Sequence, residues 1–180
     1  MGENEKTFTA SWDGAVRGLT LAVCLFSIAL AILFVLIGFT NIFGDNSKIK
    51  VPMLIGAIVI VAVIVLPFIP APRKYIINQK AVIIRRIWAD VEIPLADVTQ
   101  VELSKYEEVF KGAVRTMGSG GLFGIYGNFQ SPGLGKFRAY MTRKNKLVVI
   151  KTKDRPFVLS PDKPNKFIRA VDEYLKNQTT

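Results

Sequence analysis

The feature that most restricts this 180-residue chain is a pair of uncharged apolar runs, GLTLAVCLFSIALAILFVLIGF at residues 18–39 and VPMLIGAIVIVAVIVLPFI at residues 51–69. As helices they would be about 33 Å and about 28 Å long, close to the thickness of a bilayer's hydrocarbon core. Strands rarely run so far unbroken, so the Val and Ile content of the second run does not argue for a buried strand. We read a transmembrane helical hairpin over residues 18–70, with helices at about 18–40 and 51–69. NIFGDNSKIK, residues 41–50, is the polar turn that sets the helices antiparallel.

The first run is too long for a signal peptide, and no small-x-small cleavage site follows it, so it is expected to be retained. Lys and Arg near the helix ends orient the hairpin. Lys6, Arg17, Arg73, Lys74, Lys80, Arg85 and Arg86 flank it, against Lys48 and Lys50 in the turn. The expectation is a multi-pass protein of a bacterial inner membrane with both termini cytoplasmic and residues 1–17 as a cytoplasmic leader segment. Trp12 and Arg17 suit the headgroup layer, and Pro67, Pro70 and Pro72 are expected to end the second helix at the interface.

The chain has no histidine and one cysteine, Cys24. Histidine-based nucleophile pairs and metal sites are excluded, as are an intramolecular disulfide and a cysteine zinc cluster. The acidic residues Asp90, Glu92, Asp97, Glu107 and Glu108 fall at turns and in a polar connector without a convergent pair. No catalytic, cofactor or metal residues are expected, and the chain is read as a non-enzyme.

Residues 71–180 read as one soluble domain. Residues 73–77 and 81–88 are β-branched runs separated by Asn78, Gln79 and Lys80, a hairpin signal, and runs at 91–94 and 98–103 follow. Further on, Phe137, Ala139 and Met141 alternate with Arg138, Tyr140 and Thr142, which predicts a strand with one apolar and one wet face. Turns at Lys144-Asn145 and Lys153-Asp154 separate runs at 147–151 and 156–160, giving a meander of hairpins. Phe167, Ile168, Val171, Tyr174 and Leu175 then recur at helical spacing behind Asp162, a candidate cap. About seven strands and a C-terminal helix describe an α+β split barrel plugged by that helix.

The order of these runs, YIINQKAVIIRRIWADVEIPLADVTQVE at 75–102 and RAYMTRKNKLVVIKTKDRPFVLSPDKPNKFIRAVDEY at 138–174 resemble the bacterial pleckstrin-homology-like (PH-like) domain. The likeness covers roughly the C-terminal three-fifths of the chain, and IPL-x-D at 93–97 and the strand-SP-helix ending are its most specific parts. The resemblance implies a PH-like barrel, no shared catalysis and unassigned ligands. The alternating basic residues of phosphoinositide-binding relatives are missing. Lys80 is followed by AVII, and the adjacent Arg85 and Arg86 must point to opposite faces.

GSGGLFGIYGNFQSPGLGKF at 118–137 fails both phosphate-binding patterns. Gly135-Lys136 is followed by Phe137 rather than Ser or Thr, and no helix opens after the glycines. It is expected to be a mobile loop or irregular strand, with Phe123 and Tyr126 packed on the barrel or, in the alternative, projecting as partner contacts.

Residues 71–180 hold 20 Lys and Arg against 10 Asp and Glu, so the whole net charge of +10 lies there. A solvated surface accounts for part of it, and attraction to anionic lipid for the rest. The expected lipid contacts are Trp12, Arg17, Arg73, Lys74, Arg85 and Arg86. The partners expected are membrane lipids and a protein, with no nucleic acid and no cofactor. Ser27-x-x-x-Ala31 offers a small-residue contact for a homo-oligomer. The function expected is non-catalytic binding of a protein or anionic lipid at the cytoplasmic membrane face. The alternative is an accessory subunit of a transporter or membrane-enzyme complex.

Overall fold

The computed structural model describes residues 5–39 and 47–178. The described residues open with a strand, β1 (Lys6–Thr9), in what was expected to be a cytoplasmic N-terminal segment. Helix α1 (Gly14–Phe39) follows, starting ahead of the apolar run because the Asp13 carboxylate accepts the Val16 N–H at 2.7 Å and caps the first turn. Helix α2 (Ser47–Phe68) likewise starts early, so residues 47–50 are helical and not part of the expected turn; 40–46, the rest of the link, lie outside the described residues. The helix passes through Pro67 and ends at Phe68, since proline's fixed φ is itself helical. Both helices leave large side chains such as Leu25, Phe26 and Leu66 about two-thirds exposed or more, the opposite of a soluble core helix. The Phe34 ring lies against Gly56, where an added Cβ would come within 2.6 Å of it.

The remaining elements are β2 (Lys74–Ile77), β3 (Ala81–Arg85), β4 (Val91–Pro94), a 3-10 turn (Leu95–Asp97), β5 (Val98–Ser104), α3 (Tyr106–Phe110), β6 (Val114–Gly121), β7 (Gly124–Ser131), β8 (Gly135–Met141), β9 (Leu147–Thr152), β10 (Phe157–Leu159) and α4 (Pro164–Gln178). They form two sheets, β1-β2-β3-β4 and β5-β9-β10-β8-β7-β6. The sheets are not closed into a barrel, so the expected seven-stranded split barrel becomes a sandwich-like arrangement of ten described strands with a C-terminal helix.

The expected meander is also replaced. β10 inserts between β8 and β9, parallel to β8 and antiparallel to β9. Its three residues are all buried, as a central strand requires, and turn residues alone do not say which strands become neighbours. The face of β8 expected to be wet is covered at Tyr140 and Thr142, because the six-stranded sheet has a core on each side. The inner core, between the sheets and under α4, holds Tyr75, Tyr126, Tyr140, Ile150, Phe167 and Val171. The outer core holds Phe129, Phe137, Met141 and Val149. It is covered by α3, which replaces the expected polar connector: Phe110 packs edge-on against Phe129 and Phe137 at 5.4 and 5.3 Å. Deep in the inner core the Tyr75 hydroxyl donates to the Tyr140 carbonyl at 2.7 Å and accepts the Ser160 N–H at 3.3 Å, while burial pushes its pKa up to about 12.

Of the two expectations for the glycine-rich stretch, the irregular strand holds and the loop does not: it contributes to the paired strands β6 and β7, whose register shifts between Arg115 and Met117. Gly118 faces Gly127 across β6 and β7, both at positive φ (117° and 120°), and a Cβ on either would lie 2.0 or 2.1 Å from a carbonyl oxygen of the facing strand. Glycine is demanded here by the close approach of two backbones.

Candidate membrane interface at the base of the helical hairpin

Strand register decides what gathers where α1 and α2 meet the sandwich. β1 runs into α1, and β2 follows α2. The two strands pair antiparallel, with Thr9 opposite Lys74. The apolar hairpin is therefore a long excursion between neighbouring strands, fixed at both ends. β3 returns toward the same end, which places residues 86–90 there. The Ile87 N–H donates to the Ile69 carbonyl at 3.4 Å.

Three more loops arrive by the same logic. At the β6–β7 turn, the Phe123 N–H donates to Thr20 Oγ1 on α1 at 3.1 Å, and the Phe123 ring lies 5.0 Å from Phe68 and 6.0 Å from Trp12. Phe123 sits at φ 59°, a left-handed position that non-glycine residues seldom occupy. In the β8–β9 connection, the Thr142 hydroxyl donates to the Ser11 carbonyl at 2.8 Å and the Lys144 N–H to the Asp13 carboxylate at 3.1 Å. Between β10 and α4, Asp162 gathers the N-terminal segment: its carboxylate accepts from the Thr9 hydroxyl, from the Ser11 N–H at 3.2 Å, from the Ser11 hydroxyl at 2.7 Å and from Arg143 at 2.5 Å. Partial burial alone would raise the Asp162 carboxyl. The hydrogen bonds from Thr9 and Ser11 and the charge of Arg143 outweigh it and hold the carboxyl below its ordinary range. Asp162 thus ties the two ends of the chain together rather than serving as the simple helix cap expected of it.

Phe123 and Tyr126, expected as partner contacts if they projected, are buried to 5% and 4% exposure. The Tyr126 hydroxyl donates to the Pro67 carbonyl, one of the unpaired acceptors at the end of α2. Flanking glycines did not free these rings, because the hairpin they belong to leans on the helices. Leu19 comes within 3.3 Å of where a Gly121 Cβ would stand.

The expected lipid contacts divide. Arg17 and Lys74 are exposed. The Arg73 guanidinium lies 5.0 Å over the Phe68 ring at the foot of α2, and Arg85 pairs with Asp90 at 2.7 Å. Arg86 turns the other way, its Nε donating to the Ala89 carbonyl at 2.7 Å and its guanidinium 5.6 Å above Tyr140. Trp12 is partly exposed beside Phe123. The structure adds Arg143, Lys144, Lys146 and Lys163, which the register brings to this same end, and Trp88, 83% exposed in the β3–β4 loop. The basic residues could not be found from sequence, since only strand order shows which turns share an end. Trp88 could have been, as a tryptophan beside a basic pair and between two strands.

Among the described residues, no group of three or more His, Cys, Asp or Glu could hold a metal ion. A sandwich with a C-terminal helix is PH-like, and the two helices tied to one end of it are long and apolar enough to cross a membrane, which suggests membrane association. The family model described as bacterial PH domain matches residues 73–174, and the chain belongs to that family. The match begins just before β2, so β1 and both apolar helices lie outside it. None of the curated proteins and none of the solved structures matches the chain.

Proposed function

We propose that this is a non-catalytic, membrane-anchored PH-like protein whose domain binds anionic lipid at the cytoplasmic face of a bacterial inner membrane. The observation that carries the reading is the pairing of β1 with β2 across the apolar hairpin. It keeps both ends of the hairpin on one side of any bilayer the helices cross, and the loops bearing Arg86, Lys144, Lys146 and Lys163 lie at the end of the sandwich that would face that bilayer. Each basic residue near an anionic surface contributes about 1 kcal/mol of attraction. The positive-inside bias makes that side cytoplasmic. A cysteine at Ser47 should then react with an impermeant reagent added outside intact cells, and one at Asn177 should not.

The function itself is tested with the full chain in nanodiscs made from a mixture of phosphatidylcholine and phosphatidylglycerol. The lipid retained around the protein should be enriched in phosphatidylglycerol, and the enrichment should fade as salt is raised. Retained lipid of the bulk composition at every salt concentration would defeat the lipid reading.

A second reading, the accessory subunit of a membrane complex, is favoured by an apolar groove of about 410 Å³ between α1 and α2, with Ala31 and Ala57 among its lining residues. Small residues let another helix approach closely. A stoichiometric transporter or enzyme recovered with the chain in mild detergent would support it.

A further inference from the structure

We propose that the β3–β4 loop is a third membrane contact. In it Trp88 and Ile87 enter the headgroup layer beside the end of α2, and Arg86 meets a lipid phosphate. This rests on α1 and α2 crossing a bilayer as proposed above.

Three observations carry it. Trp88 and Ile87 are 83% and 45% exposed on a loop that is not slack: Asp90 accepts from the Arg85 guanidinium at 2.7 Å and the Arg86 N–H at 3.2 Å, and Arg86 Nε holds the Ala89 carbonyl at 2.7 Å. The three hydrogen bonds brace the loop on either side of Trp88, which stands exposed on it. The loop's height is also fixed, because the Ile87 N–H donates to the carbonyl of Ile69, the residue after the end of α2. Trp88 thus stands at the level where the apolar helix ends, which is where an amphipathic indole is most stable in a bilayer. Finally, a cleft of about 210 Å³ opens between Ile69, Pro70, Arg86, Trp88 and Ala89. Apolar walls with one guanidinium complement a lipid where its acyl chains meet the phosphodiester. A protein partner would need no such alignment with the end of an apolar helix.

The chain contains two tryptophans, so Trp12→Phe leaves Trp88 as the only indole reporter. The full-length variant is reconstituted into vesicles of phosphatidylcholine, with and without phosphatidylglycerol. Lipids brominated high on their acyl chains should quench Trp88 at least about twofold more than lipids brominated near the chain ends, and acrylamide should quench it severalfold less than free tryptophan. If Trp12→Phe does not reconstitute, the difference between wild type and Trp88→Phe yields the same signal. Full quenching by acrylamide with none by brominated lipid overturns the inference, including the case where a protein later shields the loop. Equal bromolipid quenching in neutral and anionic vesicles supports insertion, even if phosphatidylglycerol is not enriched and the proposed function fails. A water-exposed Trp88 in a chain that still enriches phosphatidylglycerol sinks this inference and leaves that function standing. Arg86→Gln should reduce the enrichment by about half; an unchanged enrichment removes the phosphate contact.

Discussion

At the end of the sandwich away from the helices, the β2–β3 and β9–β10 turns close on themselves, although the Lys153 N–H also reaches the Asp97 carbonyl. Asn78 Oδ1 accepts the N–H groups of Lys80 and Ala81, and Thr152 exchanges hydrogen bonds with Arg155. At the end that meets α1 and α2 the contacts join distant parts of the chain: Asp162 to Thr9 and Ser11, Thr142 to Ser11, Phe123 to Thr20 and Tyr126 to Pro67. Local turns form as soon as their own residues do. The near end exists only once both termini and the hairpin are in place, so it should respond more strongly to substitution. Melting of the full chain in mild detergent reads that difference.

The largest contrast is between two glycines at positive φ. Gly124, at the near-end turn, has φ 132°, and a Cβ there would lie 2.7 Å from the Met141 carbonyl oxygen. Gly135, at the far-end turn, has φ 69° and no heavy atom within 4 Å of an added Cβ. Gly124→Ala should destabilise by about 3 kcal/mol or more, combining strain with a backbone clash. Gly135→Ala bears only the left-handed penalty of about 1–2 kcal/mol. Equal losses would mean that the near-end turn relaxes, and that its close approach to β8 is not required.

Asp162 comes next. Asp162→Ala removes the acceptor that holds Thr9, Ser11 and Arg143, and should cost about 2–3 kcal/mol. The sign with pH follows from its depressed pKa. The carboxylate's contribution is complete above the ordinary value near 3.8 and is lost as pH falls through the lower value in the folded protein. Wild type and variant should therefore differ at pH 7 and converge as pH drops below about 4. A difference that persists at low pH would assign the effect to packing.

These two predictions mark where the sequence was readable. The two apolar runs, the β2–β3 hairpin and the face of α4 made by Phe167, Val171 and Tyr174 are local patterns with a period, and each reappears in place. β1 was missed because KTFT is four residues long and its partner strand lies beyond both helices. The β6–β7 hairpin was missed because glycine adds nothing to an alternation of apolar and polar residues, even where it is the residue the pairing requires. The position of β10 and the role of Asp162 depend on neighbours chosen in three dimensions. The candidate interface was half legible for the same reason. Arg73, Arg85 and Arg86 adjoin the helix in sequence, whereas Arg143, Lys144 and Lys163 reach it only through sheet order.

A smaller near-end effect is expected for the single hydrogen bond from Tyr126 to Pro67. Tyr126→Phe keeps the ring in the inner core and deletes the donor, for a loss of about 1 kcal/mol. A single neutral hydrogen bond is at stake, to a carbonyl in the last turn of α2 that no intrahelical N–H serves. A much larger loss would mean that this bond, and not Asp162, fixes the helices to the sandwich.

The smallest effect belongs to the far end. Lys153 and Asp97 approach to 3.8 Å with side chains 69% and 50% exposed, so solvent screens most of their attraction and both lose freedom by pairing. The backbone there is held independently, since the Lys153 N–H donates to the Asp97 carbonyl at 3.1 Å whatever the side chains do. Asp97→Ala should therefore change stability by about 0.5 kcal/mol or less, and added salt should not alter the difference from wild type. Asp97 also begins the connection from the 3-10 turn into β5, where a short polar side chain can support the local backbone. Asp97→Asn retains that capacity without the charge, so the two variants separate the ion pair from the turn. A loss above about 1 kcal/mol in Asp97→Ala but not in Asp97→Asn would assign the effect to local support of the turn, of the kind Asn78 gives its own turn, and not to the ion pair.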